Sequence, residues 1–153
     1  MKISGKAPKK ITKDVKSFLN RAYLTGNPIF LKYTSSNSTY LLKQCFDNCL
    51  VETRDNGGEI IFGWLIWEIK LKNFIEAELH AVVKRNGKYY DVTPRQDNEY
   101  KVLFIPDNRY LASLTNGIWN SWSNIKSLSG EIENTYKIQG VSKLDMISSM
   151  VEK

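Results

Sequence analysis

The segment Glu59–Ile69, EIIFGWLIWEI, is apolar on both faces of a strand. Such a strand needs cover on both sides, so it belongs in the middle of a sheet rather than at its edge. The next segments supply neighbours. Phe74–Lys84 alternates, with Phe74, Glu76, Glu78, His80 and Val82 on one face and Ile75, Ala77, Leu79, Ala81 and Val83 on the other. Asn86-Gly87 is the strongest short-range hairpin signal and favours a type I′ turn in which Arg85 pairs with Lys88. KYYDVTP is the return strand, closed by Pro94, and Lys101–Ile105 is a further strand ended by Pro106-Asp107-Asn108.

Helices precede and follow these strands. Thr12 is a plausible N-cap for a helix carrying Val15, Phe18, Leu19, Ala22 and Tyr23 at helical spacing, with Gly26 and Pro28 as the stop. Ile29–Tyr33 reads as a short strand and Thr34–Thr39 as a loop. A second helix starts at Gln44 or Cys45 and runs to about Asp55, since Phe46, Cys49, Leu50 and Thr53 share a side and Asn56-Gly57-Gly58 ends it. Near the C-terminus TNGIWNSWSN reads as a turn-rich loop, and Ser142 caps a last helix with Leu144, Ile147, Met150 and Val151. This order predicts an α+β fold, an antiparallel sheet packed against N-terminal helices.

Composition narrows the class. With 42% hydrophobic and 25% charged residues the chain is neither disordered nor fibrous. Its longest apolar run is far short of a membrane span, and no apolar stretch follows the basic N-terminus, so the expected location is cytoplasmic. Two cysteines four residues apart are not a disulfide framework. Residues 1–17 hold six lysines and one aspartate, so they carry +5 of the formal +6 charge. That concentration predicts a flexible basic arm over residues 1–11 and one near-neutral domain over 12–153, without the basic patch of a specific nucleic-acid binder.

The chemistry centres on the only histidine, His80. In the two-residue hairpin register His80 lies opposite Thr93 and Val82 opposite Asp91, which makes His80 and Asp91 diagonal neighbours on one face, within side-chain reach. Cys45 falls in the first turn of a helix, where the helix dipole and free backbone N–H groups favour a thiolate. Packed together, Cys45, His80 and Asp91 form a nucleophile, a base and an orienter. The Cys45 N–H is then the natural oxyanion donor, with Gln44, Asn48, Trp119 and Trp122 as candidate oxyanion or substrate-binding residues. Trp64 and Trp67 are expected in the core.

The order of a helix-borne Cys45, an apolar central strand, His80-Ala81-Val82, a short hairpin and Asp91-Val92-Thr93-Pro94 resembles the core of the papain-like and transglutaminase-like cysteine enzymes. The stretch Cys45–Asp107 is also similar to a bacterial family that shares a Cys-x-x-Asn and a His-Ala-Val pattern. The resemblance implies acyl chemistry through a thioester on the amide bond of a protein or peptide-like substrate, with no cofactor. Two departures are visible: Val92 interrupts the Asp-Pro-Thr order typical of transglutaminases, and the loop between His80 and Asp91 is short. Two other readings stand beside it. In one, Cys45 is an inert packing thiol of a noncatalytic protein-binding module; in the other, Glu76, Glu78 and His80, with Asp91, ligate a metal.

Overall fold

The Glu59–Ile69 segment forms the middle of a seven-stranded, antiparallel sheet in the computed structural model, which describes residues 5–34, 39–95, 99 and 101–151. Labelled in chain order, the elements up to the fifth strand are α1 (Lys13–Arg21), β1 (Ile29–Lys32), α2 (Cys45–Asn56), β2 (Glu59–Ile69), β3 (Phe74–Arg85), β4 (Lys88–Tyr90) and β5 (Lys101–Pro106). There follow β6 (Ser113–Thr115), β7 (Ile118–Trp122), β8 (Ile125–Leu128), β9 (Glu131–Glu133), β10 (Lys137–Val141) and α3 (Leu144–Val151). The main sheet runs β1-β5-β2-β3-β8-β9, with β4 also paired to β3. The fold is α+β. The loop expected over Thr34–Thr39 lies largely outside the described residues.

The sheet curls until its ends meet. A bridge between Tyr33 and Asp91, with the Thr34 N–H donating to the Asp91 carbonyl at 2.8 Å, brings the exit of β4 back to β1. Leu31, Leu65, Trp67, Val82, Val102 and Phe104 fill the inside of this five-strand curl. The other face of β2 and β3 takes the helices. Val15, Phe18 and Leu19 of α1 pack on Trp64, Ile66, Ala77 and Leu79, whereas Cys49 and Val51 of α2 pack on Ala81 and Val83. Both faces of β2 are thus covered, as its composition demands.

Gly63 sits where β2 meets β5 and β3 at once, paired with Pro106 on one side and His80 on the other. A Cβ there would stand 2.4 Å from the Ile105 carbonyl oxygen and 2.6 Å from the Phe104 ring, so only glycine allows this approach. The β3–β4 hairpin has the expected register, with Arg85 opposite Lys88 and positive φ at both Asn86 and Gly87.

Three features differ from the sequence expectation. The first helix ends at Arg21 rather than near Gly26; Tyr23 takes φ 57° and lies exposed, and the Leu24 N–H caps the Leu19 carbonyl. The basic arm is pinned along residues 6–7: Lys6 exchanges two backbone hydrogen bonds with Glu68, and Ala7 is buried against the interior of the curl. Finally, TNGIWNSWSN is not a loop. It forms the β6–β7 hairpin of a second, three-stranded sheet, order β10-β7-β6, because Asn116-Gly117 supplies the two positive-φ residues of another tight turn.

Candidate active site

β3 changes neighbours along one edge. β8 pairs with Phe74–Ala77 and β4 with Val83–Arg85, so among the described residues no strand pairs on that edge with the residues between them. The N-terminus of α2 approaches that break. Gln44 precedes the helix with no side-chain cap, and the first backbone hydrogen bond runs from the Asn48 N–H to the Gln44 carbonyl. The N–H of Cys45, the first helical residue, therefore has no intrahelical acceptor and lies at the positive end of the helix.

His80 projects from β3 toward the inside of the curl, and its Nε2 lies 2.9 Å from Asp91 Oδ1. Both side chains are buried, Asp91 to 1% exposure. With Nε2 held by Asp91, Nδ1 is the ring nitrogen left for Cys45, which is half-buried beside it. Burial disfavours the charged imidazole, but the charges of Asp91 and Cys45 and their hydrogen bonds outweigh it and hold His80 well above its ordinary pKa. Asp91 Oδ2 is buried without a hydrogen-bond partner among the described residues, which leaves His80 as the cation in contact with this carboxylate.

A cleft of about 560 Å³ opens over this group, with Gln44, Cys45, His80 and Thr93 at its base and Trp67 and Trp119 among its walls. The sequence candidates divide. Cys45, His80, Asp91, Gln44 and Trp119 gather at the cleft or directly beneath it. Asn48 does not line it: the side chain is fully buried, and its amide is spent on the Leu41 backbone and on Thr93 Oγ1. Trp122 packs on Tyr110 instead, ring centroids 5.0 Å apart. Residues three apart on a strand face opposite ways, and β7 is a strand where a loop was expected.

Residues without a sequence signal complete the site. Asp47, in the first turn of α2 and 1% exposed, accepts from Trp119 Nε1 at 2.7 Å, from Ser142 Oγ at 2.6 Å and from the Lys143 N–H at 2.9 Å. It ties the Trp119 wall and the start of α3 to the helix that carries Cys45. Trp67, expected only in the core, also forms a cleft wall, with the Arg95 guanidinium 4.7 Å over its ring and Nε1 donating to Glu78.

The residues of the metal reading have other partners. Glu76 accepts from Asn124 at 3.2 Å, Glu78 accepts from Trp67 at 3.2 Å, and His80 Nε2 is taken by Asp91. The three share a strand face but are drawn apart, and among the described residues no group of three potential ligands converges. Cys49, one turn from Cys45, is wholly buried; burial, then the nearby Cys45, Asp91 and Glu52, push its thiol pKa up, so it is a packing residue. No helix among the described residues is long and apolar enough to cross a membrane. No family model, no curated protein and no solved structure matches this chain.

Proposed function

We propose that this chain is a cysteine hydrolase or acyltransferase acting on the amide bond of a protein or peptide-like substrate, with a papain-like or transglutaminase-like arrangement of Cys45, His80 and Asp91. One observation carries the reading: a half-buried cysteine at an uncapped helix start lines the same cleft as an imidazole that a buried carboxylate holds through Nε2. A packing thiol needs none of these partners.

In the proposed reaction the Cys45 thiolate attacks the substrate carbonyl carbon, and the developing oxyanion accepts from the Cys45 N–H, with the Gln44 amide beside it. His80, protonated and held by Asp91, gives its proton to the leaving amine as the C–N bond breaks and a thioester forms. Water, or an acceptor amine, then gives a proton to His80, attacks the thioester and releases the thiolate. The steps balance without an added cofactor.

The test is acyl trapping. Incubation with p-nitrophenyl acetate, read by peptide mass spectrometry, is expected to place one acetyl group on Cys45, much more slowly in His80→Ala. An unmodified Cys45 under conditions that acetylate surface lysines overturns the reading and leaves a noncatalytic binding module.

A further inference from the structure

The fully buried amide of Asn48 is more fully used than packing requires. Oδ1 accepts from the Leu41 N–H at 3.1 Å, while Nδ2 donates to the Leu41 carbonyl at 2.8 Å and to Thr93 Oγ1 at 3.2 Å. Each bond reaches a different part of the site. Leu41 begins the segment that runs through Leu42, Lys43 and Gln44 into Cys45, and Lys43 within it holds a left-handed backbone, φ 60°. Thr93 follows Asp91 by two residues, and its N–H reaches back to Asp91 Oδ1 at 3.5 Å. Asn48 itself is three residues beyond Cys45, on the same helix.

These contacts close a ring. From Asn48 it passes by hydrogen bonds through Thr93 to Asp91 and on to His80, then across the cleft that His80 and Cys45 both line, and back along one helical turn to Asn48. We propose that Asn48 and Thr93 are positioning residues for this site, fixing the separation between the helix that carries the nucleophile and the strand end that carries the His80–Asp91 pair. This role rests on the cysteine-enzyme reading above. The chemistry of the amide explains the choice of residue: the clamp needs an acceptor and two donors on one short, planar group, and among side chains of this size only asparagine has them. An aspartate there accepts only, and sets a second carboxylate near Asp91 with two acceptors facing it. A break in the ring leaves α2 and the β4 exit packed but no longer in register, and small misplacements are expensive in catalytic geometry.

Thr93 provides the cleaner perturbation, because Thr93→Val keeps the branched shape and removes only the hydroxyl that Asn48 holds, while Thr93→Ser keeps the hydroxyl. The experiment measures the iodoacetamide rate at Cys45 against pH, by peptide mass spectrometry, in wild type, Thr93→Val, Thr93→Ser, Asn48→Ala and His80→Ala, with melting curves for each. The expected result is a His80-dependent component in wild type that falls about tenfold in Thr93→Val and in Asn48→Ala, a loss on the scale of one buried hydrogen bond, and that Thr93→Ser restores. A His80-dependent component that is unchanged in Thr93→Val and Asn48→Ala overturns the positioning role and leaves the enzyme reading intact. No His80-dependent component in wild type overturns the enzyme reading, and this role with it. Should Asn48→Ala fail to fold, the Thr93 pair decides alone.

Discussion

Because His80 is the only histidine in the chain, its titration is directly visible, and Asp91→Asn tests what holds its charge. In the wild-type protein two opposed effects act on the imidazole: burial disfavours its charged form, and Asp91 and Cys45 favour it more strongly. Asparagine keeps the shape and the acceptor 2.9 Å from Nε2 but removes the charge. A hydrogen bond to a charged group contributes about 1.5–3 kcal/mol net, against about 0.5–1.5 for a neutral pair, so this term alone lowers the midpoint by about one pH unit. Burial is then opposed by Cys45 alone, and the midpoint falls below the wild-type value.

The assay is the pH dependence of the single histidine Cε1–H resonance. The expected wild-type midpoint lies above 6.5, and the Asp91→Asn midpoint lies below the wild-type one. The linked stability follows in sign. Since the folded pKa is raised, His80 contributes stability that is fully present below about pH 6.5 and lost as pH rises through the folded midpoint; in the variant that loss shrinks. A variant midpoint as high as the wild type's refutes the reasoning, since the carboxylate is then not what holds the proton.

Other residues give sharp expectations. Gly63→Ala forces a methyl against the Ile105 carbonyl and the Phe104 ring, and is expected to lower unfolding stability in urea by at least about 1–3 kcal/mol; a neutral result contradicts the close approach of β2 and β5. Asp47→Ala leaves the donors of Trp119, Ser142 and Lys143 without their acceptor, with an expected loss of about 1–3 kcal/mol and faster amide exchange at the start of α3. Unchanged exchange there denies that Asp47 anchors α3. Burial of Asp107 opposes its charge, but hydrogen bonds from Arg109 and Trp64 overcome this and hold its pKa below the usual carboxylate value. Its contribution is therefore present above about pH 4 and lost as pH falls through the lowered value; Asp107→Asn is expected to flatten the acid limb of urea stability measured against pH, and an unaltered limb rejects the assignment.

Much of this arrangement was legible because it is local. Thr12 caps α1, α2 begins at Cys45, and Asn86-Gly87 sets a register that alone places His80 diagonally across from Asp91. Side-chain alternation along two paired strands is enough to bring that pair together. What stayed hidden depends on contacts distant in sequence. Closure of the curl rests on one Tyr33–Asp91 bridge, and nothing local to Tyr33 announces it. Asp47 looks like any acid in a first helical turn until Trp119 and Ser142 arrive from far along the chain. Asn48 ends the Cys-x-x-Asn pattern and stands among the sequence's substrate-binding candidates, but its side chain turns inward, to Leu41 and Thr93. Trp119 and Trp122 were treated alike because their setting is polar and Gly-containing; the Asn116-Gly117 turn makes that setting a hairpin and sends the two rings to opposite faces.

The central claim is that Cys45 is a nucleophile activated by His80. Its most direct measurement is the alkylation rate of Cys45 and Cys49, each followed separately in the folded protein, in wild type and His80→Ala. The account predicts that Cys45 reacts at least about tenfold faster in wild type than in the variant near pH 6, while Cys49 stays unlabelled in both. Equal Cys45 rates in the two proteins would contradict it, and the pair of thiols would then be packing residues of a binding protein.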